Sequence, residues 1–148
     1  MYKNILTAID ISAESEQVLQ AAKRLGDVYG AEISVIHVAD NPRTFYPSVY
    51  GEIAGYDFTF DEQTFRQSLV ERVAKLAQPF GIESDHVSVE FGSVTNQVVE
   101  KAANLGTDLI VLGSHGRHGI QLLLGSTANG VLHHAECDVL AVRVKEDS

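Results

Sequence analysis

Glycines and hydroxyls concentrate in residues 108–127, Asp-Leu-Ile-Val-Leu-Gly-Ser-His-Gly-Arg-His-Gly-Ile-Gln-Leu-Leu-Leu-Gly-Ser-Thr. Gly113 and Gly116 follow a short apolar run, and Gly125, Ser126 and Thr127 open a segment whose apolar residues Ala128, Val131, Leu132 and Ala135 fall at helical spacing. A buried strand ending in a glycine loop and passing to a helix N-terminus suits anion binding. The first-turn amides are unpaired, the dipole end is positive, and glycine lets the backbone approach a phosphate. The same residues also suit a tight loop followed by an ordinary helix cap, so both readings stand at this point. Arg117 is either a charged donor to that phosphate or a solvated loop side chain. No lysine precedes Ser126 and Thr127, which disfavours a Walker-type ATPase loop.

Asp10 is the second chemically suggestive residue. It interrupts the C-terminal end of an apolar run, where a carboxylate needs a partner, water or a ligand; contacting a ligand and capping the following helix are both open. His115 and His118 lie three apart, and His133 and His134 precede Glu136, but the spacing builds no finger-like metal cage. Magnesium held by the phosphates of a bound ligand is compatible with the sequence. Neither a nucleophile elbow nor a persuasive carboxylate pair is present, so no catalytic residue is expected.

The elements that must position these residues alternate along the chain. Residues 5–11 read as a strand buried on both faces. Ser12 is a candidate cap for a helix carrying Val18, Ala21, Ala22, Leu25, Val28 and Tyr29, which stops at Gly30. Residues 31–38 form a second strand. Thr59 and Glu62 have capping-box spacing ahead of a helix with Phe65, Leu69, Val73, Leu76 and Phe80 on one face, ending near Gly81. Residues 87–91 alternate as a third strand, and Ser93 caps a helix with Val98, Val99, Ala102 and Leu105 that ends at Gly106. Residues 109–112 and 137–144 are the fourth and fifth strands. Such strict alternation predicts an open α/β sheet with helices on both faces and right-handed parallel crossovers. Ligands of such sheets bind beyond the carboxyl ends of the strands, which is where Asp10, Val38 and the glycine loop would meet.

Residues 41–60 break this rhythm. They hold six of the eleven aromatics, so an insert that packs on something is expected: a cover, an interface or a lid. The 148 residues suit one domain, 1–148 including this insert. Twenty acidic against eleven basic residues give a net charge of −9, which argues against nucleic-acid binding. No apolar run reaches membrane-spanning length, and no signal-peptide pattern opens the sequence. The single cysteine, Cys137, read as a core residue, suits a reducing cytoplasm.

Residues 4–10 (Asn-Ile-Leu-Thr-Ala-Ile-Asp), 108–116, Gly125-Ser126 and 137–143 together resemble the universal stress proteins over nearly the whole chain. The resemblance implies a Rossmann-like five-stranded parallel sheet of order 3-2-1-4-5, akin to the adenine nucleotide α-hydrolases. It implies a cytoplasmic stress-response protein that pairs as a homodimer through its last strand, a pairing that a charge at Val142 would test. The family has an ATP-binding branch and a branch that does not bind ATP, and resemblance to the first implies ATP or a related adenine nucleotide as a sensing ligand. Gly113, Gly116, Gly125 and Ser126 would hold phosphates and ribose, with Asp10 and Val38 at the adenine end; Arg117 and Thr127 are added to the site from the residue reading alone. The ATP-binding pattern places nine residues between its second and third glycines, whereas eight, 117–124, stand here. Ala128 replaces a frequent hydroxyl, and Ala8 replaces a frequent proline. The rival readings are a dimeric stress protein that binds partners and no nucleotide, and an enzyme, either a slow ATPase or a nucleotidyl transferase. The His-x-Gly-His pattern of the transferases is missing after the first strand.

Overall fold

The computed structural model describes residues 1–40, 61–114 and 125–145. The segment 41–60, with the aromatic insert and Thr59, lies outside the described residues, as do His115, Gly116, Arg117 and His118.

Five parallel strands, β1 (Asn4–Ala8), β2 (Glu32–Ala39), β3 (Val87–Phe91), β4 (Leu109–Gly113) and β5 (Asp138–Val142), form one sheet in the order β3-β2-β1-β4-β5. Helices α1 (Ser15–Tyr29), α2 (Glu62–Ala77), α3 (Val94–Leu105) and α4 (Ser126–His134) make the crossovers. Successive residues of a strand face opposite sides, and the core divides accordingly. Ile5, Val35, Val89, Leu109 and Val111 pack against α1 and α2 through Val18, Leu19, Leu69 and Val73. Leu6, Ile36, Ile110 and Leu112 pack against α3 and α4 through Val98, Ala102, Ala128 and Val131. Burial on both faces explains why the central strands read as unbroken apolar runs.

The helix punctuation is largely local chemistry. Gly30 and Gly106 end α1 and α3 in the left-handed region, with φ of 67° and 64°. Ser93 caps α3 by accepting from the Asn96 amide. At α2 the cap is Asp61, not Thr59: its carboxylate accepts from the amides of Gln63 and Thr64 and from the Thr64 hydroxyl. Gly130 sits inside α4 because a Cβ there would stand 2.6 Å from Thr95 Oγ1, so its bareness lets α4 close on α3.

Two sequence expectations at the first turn are corrected. β1 ends at Ala8, so Asp10 stands beyond the strand; past that end the Ile9 amide still reaches β2, through the Ile36 carbonyl at 3.1 Å. Ser12 does not cap α1. The helix begins after Glu14 with no side-chain cap, because the Ser12 carbonyl accepts from Ser15 while its hydroxyl donates to Asp10. At the other end of the chain Cys137 is half-buried and precedes β5, and burial raises its thiol pKa above the ordinary value.

Candidate functional site

Beyond the carboxyl ends of β1, β2 and β4, where the strand order reverses, the sheet opens into a cavity of about 220 Å³. Asp10, Val38, Gly113, Gly125, Ser126 and Thr127 all line it. These are the candidate ligand residues that fall among the described segments, and the topology brings them to one crevice. Gly116 and Arg117 belong to the segment outside the described residues.

One wall is built by the turn after β1. His37, on β2, donates its Nδ1–H to the Ile9 carbonyl at 2.9 Å, which requires the Nδ1-protonated ring. The Ser12 hydroxyl then donates to Asp10 Oδ1 at 2.6 Å. His37 thus holds the backbone just before Asp10 while Ser12 holds its carboxylate, which is exposed to solvent rather than buried in the sheet. Glu14, at the start of α1, adds a second carboxylate to the same wall.

The opposite wall is backbone. From the end of β4, the Ser114 amide donates to the Val142 carbonyl at 2.7 Å, and the Ser114 carbonyl accepts from the Gly125 amide at 2.6 Å. This bridge delivers the chain to α4 with Gly125 as its N-cap and no side-chain cap bond. The first intrahelical acceptor, the Gly125 carbonyl, is taken by Asn129, leaving the Ser126, Thr127 and Ala128 amides without an acceptor among the described residues. Ser126 and Thr127 hydroxyls are therefore not spent on capping the helix. Between the two walls the floor is apolar, with Val18, Ile36, Val98, Leu112 and Val144.

A cavity so built is bipolar. It offers amide donors and a positive helix terminus on the β4–α4 side, carboxylate acceptors on the β1–α1 side, and a hydrophobic slot for a flat or aliphatic body between them. Three contributors escaped the sequence reading: His37 and Ser12, which orient the Asp10 turn, and Val144, which closes the floor from beyond β5. His37 gave no local signal, because its task depends on which strand neighbours β1. Among the described residues no three His, Cys, Asp or Glu side chains gather to hold a metal ion.

The family model described as the universal stress protein family matches residues 1–143. Universal stress protein A homolog 2 of Coxiella burnetii is 43% identical over 145 residues, covering 97% of each chain. Among solved structures, a universal stress protein in complex with cAMP shares the fold with a TM-score of 0.63, at 19% identity over 95% of this chain and 96% of that one. The universal stress protein from Archaeoglobus fulgidus in complex with dAMP gives a TM-score of 0.62, at 20% identity over 95% and 98%.

Proposed function

The chain belongs to the universal stress protein family, and on that premise we propose that it binds an adenine nucleotide, ATP in the first place, as a regulatory ligand. The observation that carries this reading is the uncapped first turn of α4, facing the cavity across from the Asp10 carboxylate. The nucleotide phosphates lie against the Ser126, Thr127 and Ala128 amides, joined by Gly113, Gly116 and Arg117. Donor groups of the ribose or base face Asp10, and Val38 flanks the base. The fit is chemical: an anion meets the helix terminus and hydrogen-bond donors meet a carboxylate. Magnesium enters with the phosphates, since no protein cage for it stands among the described residues. The nucleotide serves as ligand rather than rapidly consumed substrate. The protein works as a homodimer joined through β5, in the cytoplasm, where its one cysteine stays reduced; among the described residues no helix is long and apolar enough to cross a membrane.

A calorimetric titration of ATP and magnesium into nucleotide-free protein tests this. Saturable binding that is lost in Gly125→Val, with the fold retained by circular dichroism, is the expected result. Folded, nucleotide-free protein that gives neither heat nor a thermal shift at millimolar ATP overturns it. That outcome favours the second reading, a dimeric stress protein acting through partners, which the eight-residue spacing of 117–124 supports.

A further inference from the structure

Gln17 lies in the first turn of α1, away from every motif in the sequence. Its side-chain amide makes two hydrogen bonds to one residue near the far end of the chain: Nε2 donates to the Lys145 carbonyl at 2.7 Å, and Oε1 accepts from the Lys145 amide at 2.9 Å. A primary amide has one donor face and one acceptor face, as a peptide group does, so Gln17 acts on Lys145 as a neighbouring strand would. The chain beyond β5 is thereby fastened to α1. The fastening acts on Val144, the residue just before: only 5% exposed, it packs into the α1-side core and forms part of the cavity floor beside Val18.

We propose that Gln17 is a positioning residue of the nucleotide site, holding Val144 in place as the floor against which the ligand body packs, without touching the ligand itself. The inference rests on the nucleotide reading above. Without the clamp, residues 143–145 have no sheet partner, since β5 ends at Val142. Val144 then trades a fixed position for several, and a ligand must order it on binding. That ordering cost appears as weakened affinity.

The test measures ATP affinity by calorimetry for the full chain and for Gln17→Leu, Gln17→Glu, Val144→Ala and the Gln17→Leu/Val144→Ala pair. Circular dichroism checks the fold, and amide exchange at Lys145 reports the clamp. Gln17→Leu is expected to speed exchange at Lys145 and to weaken ATP binding by about three- to tenfold. Gln17→Glu keeps the acceptor but loses the donor, so it should fall between Leu and the parent. Because both substitutions act through Val144, the double variant should bind no more weakly than the worse single one. Unchanged affinity in Gln17→Leu despite fast Lys145 exchange overturns the proposal, as does full additivity in the double variant. Failure of the parent chain to bind ATP instead overturns the nucleotide reading, and this inference with it.

Discussion

β3 and β5 are both edge strands of one parallel sheet, yet among the described residues side chains reach over the first edge and not over the second. On β3, the Arg66 guanidinium donates to the Val89 carbonyl, pairs with Glu90 at 3.4 Å and with Glu62 at 3.8 Å, and lies 4.7 Å above the Phe91 ring. Phe65 stacks on Phe91 with centroids 6.0 Å apart, and Lys101 approaches Glu90 from the other helix layer at 3.9 Å. On β5, the Val142 carbonyl faces β4, so in a parallel ladder the backbone groups of Val139 and Ala141 face outward. No described side chain covers them, and Leu140 is 37% exposed. An unpaired strand edge is a template for another chain, which proteins blunt with charges and covering side chains unless they use it. The difference teaches that exposure alone is a weak guide to an interface; the contrast with a defended edge of the same sheet is the stronger support for the proposed pairing through β5.

The largest effect expected is on association. On the proposed pairing through β5, Leu140→Lys places a charge in the contact and should raise the dimer dissociation constant by about a hundredfold or more, read by analytical ultracentrifugation. Glu90→Lys on β3 should leave the mass unchanged. Equal behaviour of the two variants would abolish the distinction between the edges. Val142, the position the sequence offered for this test, is a poorer choice, because its side chain packs on the α1-side core and a charge there disturbs the fold as well.

Arg66→Ala comes next. Loss of a charged donor to Val89 together with the ring contact should cost about 1–2 kcal/mol in urea unfolding. It should also let β3 self-associate, detectable by light scattering; a stable, monodisperse variant would show that Arg66 does not guard the edge. The centre of the sheet supplies a smaller effect of opposite sign. Thr7 is fully buried, and its Oγ1 has no hydrogen-bond partner among the described residues, so Thr7→Val should raise stability by about 1 kcal/mol without changing association.

The mildest separation is by pH. Asp61, which caps the helix covering β3, has its pKa lowered, chiefly by the Thr64 hydroxyl, so its contribution is present above about pH 4 and lost as pH falls through the lower folded value. Tyr2 donates its hydroxyl to Asp138 at the start of β5, and that bond first of all raises the phenol pKa. Its contribution is present below about pH 10 and lost as pH rises through the higher folded value. Hydrogen exchange should therefore find the start of α2 loosening in acid and the N-terminal end of β5 loosening in alkali. Asp61→Asn and Tyr2→Phe should each remove one of these trends and spare the other.

The architecture was legible in the sequence because its cues are local: apolar runs of strand length, helical spacing, and glycines such as Gly30 and Gly106 at helix ends. The strand order came from resemblance, since the residues alone do not say that β1 lies between β2 and β4. Elements were found more reliably than their terminal residues. Whether the Ser12 side chain accepts from the first turn of α1 or donates to Asp10 is decided by which partner lies within reach, and composition carries no trace of that choice. The crevice itself was anticipated from the topology of such sheets. Its supports were not, because His37, Gln17 and Val144 act on residues up to the opposite end of the chain, through contacts that exist only once the sheet has closed.

Ser114 links the end of β4 to two places at once, accepting from Gly125 and donating to Val142. Its consequence reaches beyond ligand binding to how such a chain can diversify. The chain leaves β4 and enters α4 at a joint whose spacing is set by backbone bonds, so a change of length between Ser114 and Gly125 need not move the strand end or the helix start that flank it. Natural variation, or a designer grafting a different sequence, can alter that segment while β5 and the first turn of α4 keep their places.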